Sequence, residues 1–177
     1  LCQRRQFNRV YLHAFTDGRD SPPNYGIRYL QETEQKMTEL GVGKIATVSG
    51  RFWAMDRDKR WERVEKAYRA IAFGDGPVFR SAREAVQYYY EHPSEPTTQG
   101  DEFVTPSVIS DDGHTPRATI RNGDSVIFYN YRGDRPRELT AAFVLPDFKG
   151  FDRGKPFDLY FVTMTAYEEG SPVHVAY

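Results

Sequence analysis

Cysteine is almost missing: Cys2 is the single one in 177 residues. An internal disulfide is therefore excluded, and a reducing, cytoplasmic compartment is expected. No apolar run approaches the roughly 20 residues of a membrane span, and no signal-type apolar core is found. Charge of one sign is not in excess. Lys plus Arg number 24 and Asp plus Glu 25, a formal net charge of −1, so there is no global basic field for nucleic acid or a membrane surface. Any positive site must be local. The four histidines (His13, His92, His114 and His174) are scattered, with no carboxylate or cysteine at metal-ligand spacing. His13 lies inside an apolar run and reads as a satisfied core histidine rather than a ligand. There is no GxSxG elbow, Walker A loop, internal repeat or low-complexity segment.

What is present suffices for one domain with a real core: 39% of residues are hydrophobic and 15% aromatic. The aromatics read as core and loop anchors rather than as a base-stacking platform. The chain begins with Leu1, in what reads as a helix end, and stops at Tyr177. A piece of a larger protein is expected, with a processed but complete chain as the alternative.

Residues 9–15 (RVYLHAF) are β-branched and aromatic and predict a buried strand. Gly18, Pro22 and Pro23 end it sharply. Residues 24–40 predict a helix with Ile27, Leu30, Met37 and Leu40 on one face and Gly41 as its terminator. Residues 44–49 (KIATVS) predict the next strand. Strand, helix and strand at this length make a βαβ unit, parallel by strong default. A helix after Arg57 buries Trp61, Val64, Tyr68 and Ile71 and stops at Gly74. Ser81 and Glu84 form a capping box for a helix to about Glu91. Residues 101–109, with Pro106, predict an edge strand or extended segment, and 110–123 a loop with a short strand or hairpin. Residues 125–130 (SVIFYN) predict a buried strand, followed by a helix from Pro136 to about Val144. Residues 158–165 (DLYFVTMT) predict a last apolar strand, and 166–177 a linker.

Three of these strands end in charge: Asp17-Gly18-Arg19-Asp20, then Arg51 to Asp58, then Arg132-Gly133-Asp134-Arg135. The second stretch follows a strand and opens a helical pattern, where free N–H groups favour anions. In a mainly parallel sheet the three ends share one edge, where ligands bind in open α/β folds. Arg19, Arg51, Arg57, Arg132 and Arg135 would then line one cleft with Asp17, Asp20, Asp56 and Asp134 among them. Such a cleft suits a small molecule bearing phosphate and carboxylate, and an aspartate in it could exchange protons with a substrate hydroxyl. The alternative for each loop is a solvated surface whose arginines pair with neighbouring aspartates. Arg132-Gly133-Asp134, after a buried strand in a cytosol-like chain, is discounted as an adhesion tripeptide.

HAFTDGRDSPP (13–23), VSGRFWAMDRDKRWERVEKAY (48–68) and FYNYRGDRPRELT (128–140) resemble the substrate-binding domain of cofactor-independent (2,3-bisphosphoglycerate-independent) phosphoglycerate mutases. DLYFVTMTAYEE resembles that domain's exit into a linker. The resemblance covers nearly the whole chain. It implies a three-layer α/β/α fold with a mainly parallel central sheet, inserted into an alkaline-phosphatase-like domain that carries a serine nucleophile and two metal ions, Mn2+. It implies interconversion of 3- and 2-phosphoglycerate in glycolysis and gluconeogenesis, through transfer of the phosphoryl group to the serine and back to the other hydroxyl. Arg19 and Asp20 match the family's DGRD pair, which binds substrate and supplies the acid/base. Arg51 and Arg57 match the arginines of GRYYAMDRD, and Arg132 and Arg135 those of FNFRADR; these bind substrate. Ser21, Phe52-Trp53, Tyr131 and Gly133 depart from the family's residues and leave the charged groups intact.

The family's first strand and its GGVHSH-type loop have no counterpart here, nor do the nucleophile and metal ligands. The resemblance therefore implies an incomplete substrate domain at 1–165, a linker at 166–177 toward the phosphatase-like domain, no metal in this chain and no turnover by it alone. An exposed sheet edge prone to association is expected. The full-length enzyme would be a cytoplasmic monomer without nucleic-acid or membrane partners. Two alternatives are a related alkaline phosphatase superfamily enzyme acting on another phosphorylated hydroxy acid or sugar, and a stand-alone anion-binding module. In the full-length enzyme, Arg51→Ala is expected to cost orders of magnitude in activity with little loss of stability.

Overall fold

Strand β1 (Tyr11–Thr16), helix α1 (Gly26–Leu40) and strand β2 (Lys44–Gly50) form the expected βαβ unit, and the two strands pair in parallel. Gly41 closes α1 in the left-handed conformation, its N–H donating to the Met37 and Thr38 carbonyls. A single turn, α2 (Arg51–Ala54), follows β2, and α3 (Trp61–Phe73) begins only after a further loop. Gly74 ends α3 in the same left-handed way. After β3 (Val78–Phe79), helix α4 (Ala82–Glu91) is capped by Ser81, whose Oγ accepts the Glu84 N–H at 3.1 Å. Next come a 3-10 turn (Asp101–Phe103), β4 (Ser107–Ile109), β5 (Ser125–Phe128), α5 (Arg137–Val144), β6 (Tyr160–Thr163) and β7 (His174–Val175). The computed structural model describes residues 1–93 and 95–177.

The protein is a mixed α/β fold with parallel-rich sheets. Its strands are divided between two ladders, β1-β2-β4-β3 and β5-β6-β7, where one central sheet was expected. The second ladder is wholly parallel; in the first, β4 runs against β2 and with β3. The core forms two clusters. One cluster gathers Val64, Tyr68, Leu139, Phe143 and Phe161, the other Leu30, Ile45, Val48, Val86 and Ile109. Each such side chain contributes about 1.5–3 kcal/mol on burial.

The expectations for β4, Leu40 and residues 110–123 are corrected. β4 is an interior strand, not an edge: Pro106 lies just before it, so no ladder hydrogen bond is lost within it. Leu40 is exposed, and α1 buries Leu30 with Ile27 and Met37 half-buried beside it. No strand forms over 110–123 among the described residues; Asp112 Oδ1 instead accepts the N–H groups of His114 and Thr115. In the 166–177 segment, Tyr167 is buried and β7 pairs with β6.

β1 and β5 are not the buried strands that their composition predicts. Only Ala14 and Thr16 of β1 are buried, and Ser125 and Ile127 of β5 are exposed. Each strand ends its ladder. Arg9, before β1, pairs with Asp124, before β5, at 3.8 Å, and Phe15 meets Phe128 near the other ends with ring centroids 5.8 Å apart. The two strands therefore run side by side in one direction. Their unshared edges face each other across a slot of about 1040 Å3.

Candidate functional site: an arginine cleft

The parallel register sets the first half of the site. Thr16 lies opposite Gly50, so the residues leaving β1 and β2 emerge side by side. Arg51 is buried there, and its guanidinium reaches back to both carboxylates of the first loop. Nη1 donates to Asp17 Oδ1 and, at 2.9 Å, to Asp20 Oδ2. Burial alone would lower the Arg51 pKa, but the hydrogen bonds to Asp20 and Asp17 outweigh it and raise the value. Burial would likewise raise Asp17; the Arg51 hydrogen bond and the Asp20 N–H turn the shift downward. Arg51 Nε is buried without a hydrogen-bond partner.

Glycine makes this approach possible. Gly18 takes the turn at φ +68°, and a Cβ there would lie 2.8 Å from the Asp101 Cβ. Gly50 donates its N–H to the Val104 carbonyl at 2.7 Å, and a Cβ on it would collide with the Glu102 carbonyl. The 3-10 turn is thus drawn against the end of β2. Glu102 reaches Arg19 at 3.3 Å, an exposed pair at the rim.

The third strand end supplies the other half. Asp134 accepts from Arg57 at 3.0 Å and from Arg132 at 3.3 Å. Arg135 Nη1 donates to the Met55 carbonyl at 3.0 Å. Among the described residues Arg135 forms no ion pair with a carboxylate. Its pKa is lowered by burial and by the nearby charges of Arg51, Arg57 and Arg19, opposed by Asp134. Arg19, Asp20, Arg51, Arg57, Arg132 and Arg135 all line one cleft of about 560 Å3. All the predicted site residues are therefore brought together. Four of the five arginines also pair with carboxylates, as the solvated-loop alternative requires; Arg135 does not.

Of the two expected sources of positive charge, the arginines are present and a long helix N-terminus is not. α2 has only four residues, and the long helix begins at Trp61. Guanidinium groups rather than a helix terminus supply the positive field. Arg60, Arg63 and Glu102 also line the cleft and are not singled out by the sequence. Arg60 and Arg63 lie three residues apart at the start of α3, a visible signal for a shared face; Glu102 had no such signal. Beneath them Asp56 is buried. Its Oδ1 accepts the N–H groups of Asp58 and Arg60, and its Oδ2 accepts from Arg60. His13 is held by Thr47 Oγ1 at 2.9 Å, and burial lowers its pKa to about 4, as suits a satisfied histidine. No group of three or more His, Cys, Asp or Glu that could hold a metal ion occurs among the described residues. No helix among them is long and apolar enough to cross a membrane.

The family described as BPG-independent PGAM N-terminus matches residues 1–169. A 2,3-bisphosphoglycerate-independent phosphoglycerate mutase of Clostridium perfringens is 52% identical over 96% of this chain and 32% of its own length. One of Moorella thermoacetica is 48% identical over 100% of this chain and 34% of its own. The chain thus spans about a third of the relatives it matches. A crystal structure of Leishmania mexicana phosphoglycerate mutase at low cobalt concentration superposes with a TM-score of 0.85 at 33% identity, over 93% of this chain and 30% of that one.

Proposed function

The chain belongs to the BPG-independent PGAM N-terminus family, and from that premise we propose that it is the substrate-binding half of a phosphoglycerate mutase. The full-length protein would be an isomerase interconverting 3- and 2-phosphoglycerate in glycolysis and gluconeogenesis, monomeric and cytoplasmic. The observation that carries this proposal is the meeting of three arginine-bearing loops in one cleft, with Arg135 lacking a carboxylate partner among the described residues. Phosphoglycerate bears a phosphate and a carboxylate, and each matches the guanidinium fork. Arg19, Arg51, Arg57, Arg132 and Arg135 are proposed to bind these groups.

Asp20 is proposed as the acid/base toward the glycerate hydroxyls. Arg51 orients its carboxylate, and the side chain is 75% exposed, as a group meeting a bound hydroxyl must be accessible. In the proposed reaction the P–O3 bond breaks as a bond forms from phosphorus to a serine oxygen on a phosphatase-like domain of the same polypeptide, the serine proton passing to a base of that domain. Asp20 enters this step protonated and gives its proton to O3. After the glycerate reorients, Asp20 takes the proton from the 2-hydroxyl as the phosphoryl group returns to O2, and the serine oxygen regains its proton from the same base. Two Mn2+ ions are assigned to that other domain, where they would clamp phosphoryl oxygens; the residues described here do not fit a metal. The chain by itself is proposed to bind without turnover.

We also propose that residues 1–165 form the substrate domain apart from one strand, with 166–177 leading toward the phosphatase-like domain. The slot between β1 and β5 supports this, because a strand laid in it would find free N–H and C=O groups on both sides.

Calorimetric titration of the chain with 3-phosphoglycerate at low and moderate salt tests the binding role. Saturable, salt-weakened binding is expected. Absence of binding at low salt would overturn a cleft preformed in this chain.

A further inference from the structure

One buried acid in the site region has no part in the scheme above. Glu138 stands in the first turn of α5, three residues after Arg135, and is only 6% exposed. Its Oε1 accepts the N–H of Lys59 at 2.9 Å, across 79 residues of sequence. Lys59 has φ +58°, a left-handed conformation that a residue with a Cβ adopts at a cost. The other oxygen, Oε2, is buried without a hydrogen-bond acceptor or donor assigned to it. Asp56 lies beside it, and burial and the Asp56 charge push the Glu138 pKa upward, against the Lys59 N–H. A proton on Oε2 could be shared with Asp56, which would relieve Glu138 Oε2 of an otherwise unpaired burial.

The other charged groups facing this pair are Arg60 and Arg63, at 3.2 and 3.6 Å from Asp56 Oδ2, and Arg137 near Glu138. Asp56 in turn holds the N–H groups of Asp58 and Arg60. Glu138 therefore holds the 56–60 loop directly at Lys59, and Asp56, whose charge it feels, holds the same loop from within. That loop carries Arg57, and the stretch before α5 carries Arg132 and Arg135. Two further links join the same loops, Arg57 to Asp134 and Arg135 to the Met55 carbonyl. The first is a half-exposed ion pair screened by water. The second uses an arginine that a bound anion would engage.

We propose that Glu138 is a positioning residue for the cleft: it locks the 56–60 loop, through the Lys59 N–H, to the start of α5, so that Arg57 and Arg135 converge on one anion. This rests on the binding role proposed above, and its test has a readout that does not need substrate. Amide hydrogen exchange at Lys59 reports the lock directly. Titration with 3-phosphoglycerate reports its consequence. Glu138→Gln keeps an acceptor for the Lys59 N–H and a donor for Asp56. Glu138→Ala keeps neither, and Glu138→Met fills the space without the acceptor if the alanine variant does not fold.

The expected result is at least tenfold faster exchange at Lys59 and about tenfold weaker binding for Ala or Met, with Gln within twofold of the parent on both. Unchanged exchange at Lys59 in the Ala or Met variant would overturn the proposal, as would a Gln variant as impaired as Ala. If the parent chain does not bind 3-phosphoglycerate, the binding role fails, while exchange at Lys59 still decides the lock.

Discussion

Arg51 Nη1 donates to Asp20 Oδ2 at 2.9 Å, so the group proposed to exchange protons with substrate is held by an arginine from the neighbouring strand end. The guanidinium also serves Asp17, and its side chain is only 7% exposed. Arg51 is thus a structural tie as well as a charge. The sequence-based expectation of little stability loss on its removal is revised. Arg51→Ala should abolish measurable 3-phosphoglycerate binding and also destabilise the chain by about 1–3 kcal/mol, discounted toward the lower end by the exposure of Asp20. Denaturant melts beside titration measure both; an unchanged melt would return Arg51 to a dispensable rim position.

Arg135 should behave differently. It is half-buried, bonds a carbonyl and no carboxylate, and carries a pKa lowered by burial and by its arginine neighbours. Its arginine neighbours outweigh the one nearby carboxylate, Asp134. Loss of a charge-assisted contact is worth about 1.5–3 kcal/mol, or roughly 10- to 100-fold in affinity. Arg135→Ala is expected to weaken 3-phosphoglycerate binding by that factor while the melting temperature stays within a few degrees. Equal affinity in parent and variant would remove Arg135 from the site.

Gly50 isolates a steric requirement. Its φ is −68°, which any residue adopts, yet a Cβ would lie 2.7 Å from the Val104 N and closer still to the Glu102 carbonyl. Gly50→Ala should therefore cost about 1–3 kcal/mol through overpacking alone. It should also loosen the Glu102 side of the cleft. A melt indistinguishable from the parent would mean that the 3-10 turn yields freely.

His13 predicts a pH dependence of stability. Its folded pKa is about 4, below the ordinary 6.5, because burial disfavours the imidazolium. The unfolded chain then binds the extra proton between those values, so stability falls as pH drops from about 6.5 to about 4 and this contribution levels off below that. The full shift corresponds to about 3 kcal/mol at most. His13→Gln should flatten the slope of melting temperature between pH 7 and 5; an unaltered slope would assign it to other groups.

The slot makes a prediction about the two edges that border it. Amides of β1 and β5 that point into it lack a strand partner, whereas β2 is paired on both sides. Hydrogen exchange should be fast at those β1 and β5 amides and slow along β2. Uniform protection of β1 would show that the slot is closed in solution.

Much of this was visible in local chemistry. Gly41, Gly74 and Ser81 mark helix ends because their conformations or hydrogen bonds are satisfied within a few residues. The βαβ unit followed from periodicity and length. β4 reads from sequence as an edge or extended segment because Ser107, Val108 and Ile109 beside a proline carry no sign of how many neighbours they have. β1 and β5 look buried by composition, yet the ladder breaks between them, and no local pattern marks where a sheet divides.

The sequence by itself determined that three strand ends would carry arginine and aspartate, and it carried the family in its motifs, because residue type and spacing are local properties. The tertiary structure alone decided which arginine lacks a carboxylate and which acid is buried beneath the loops. Those outcomes depend on pairs such as Arg51 with Asp20, Arg135 with Met55 and Lys59 with Glu138, separated by 31 to 80 residues. Contacts at that range are set by packing and register, and no local preference encodes them.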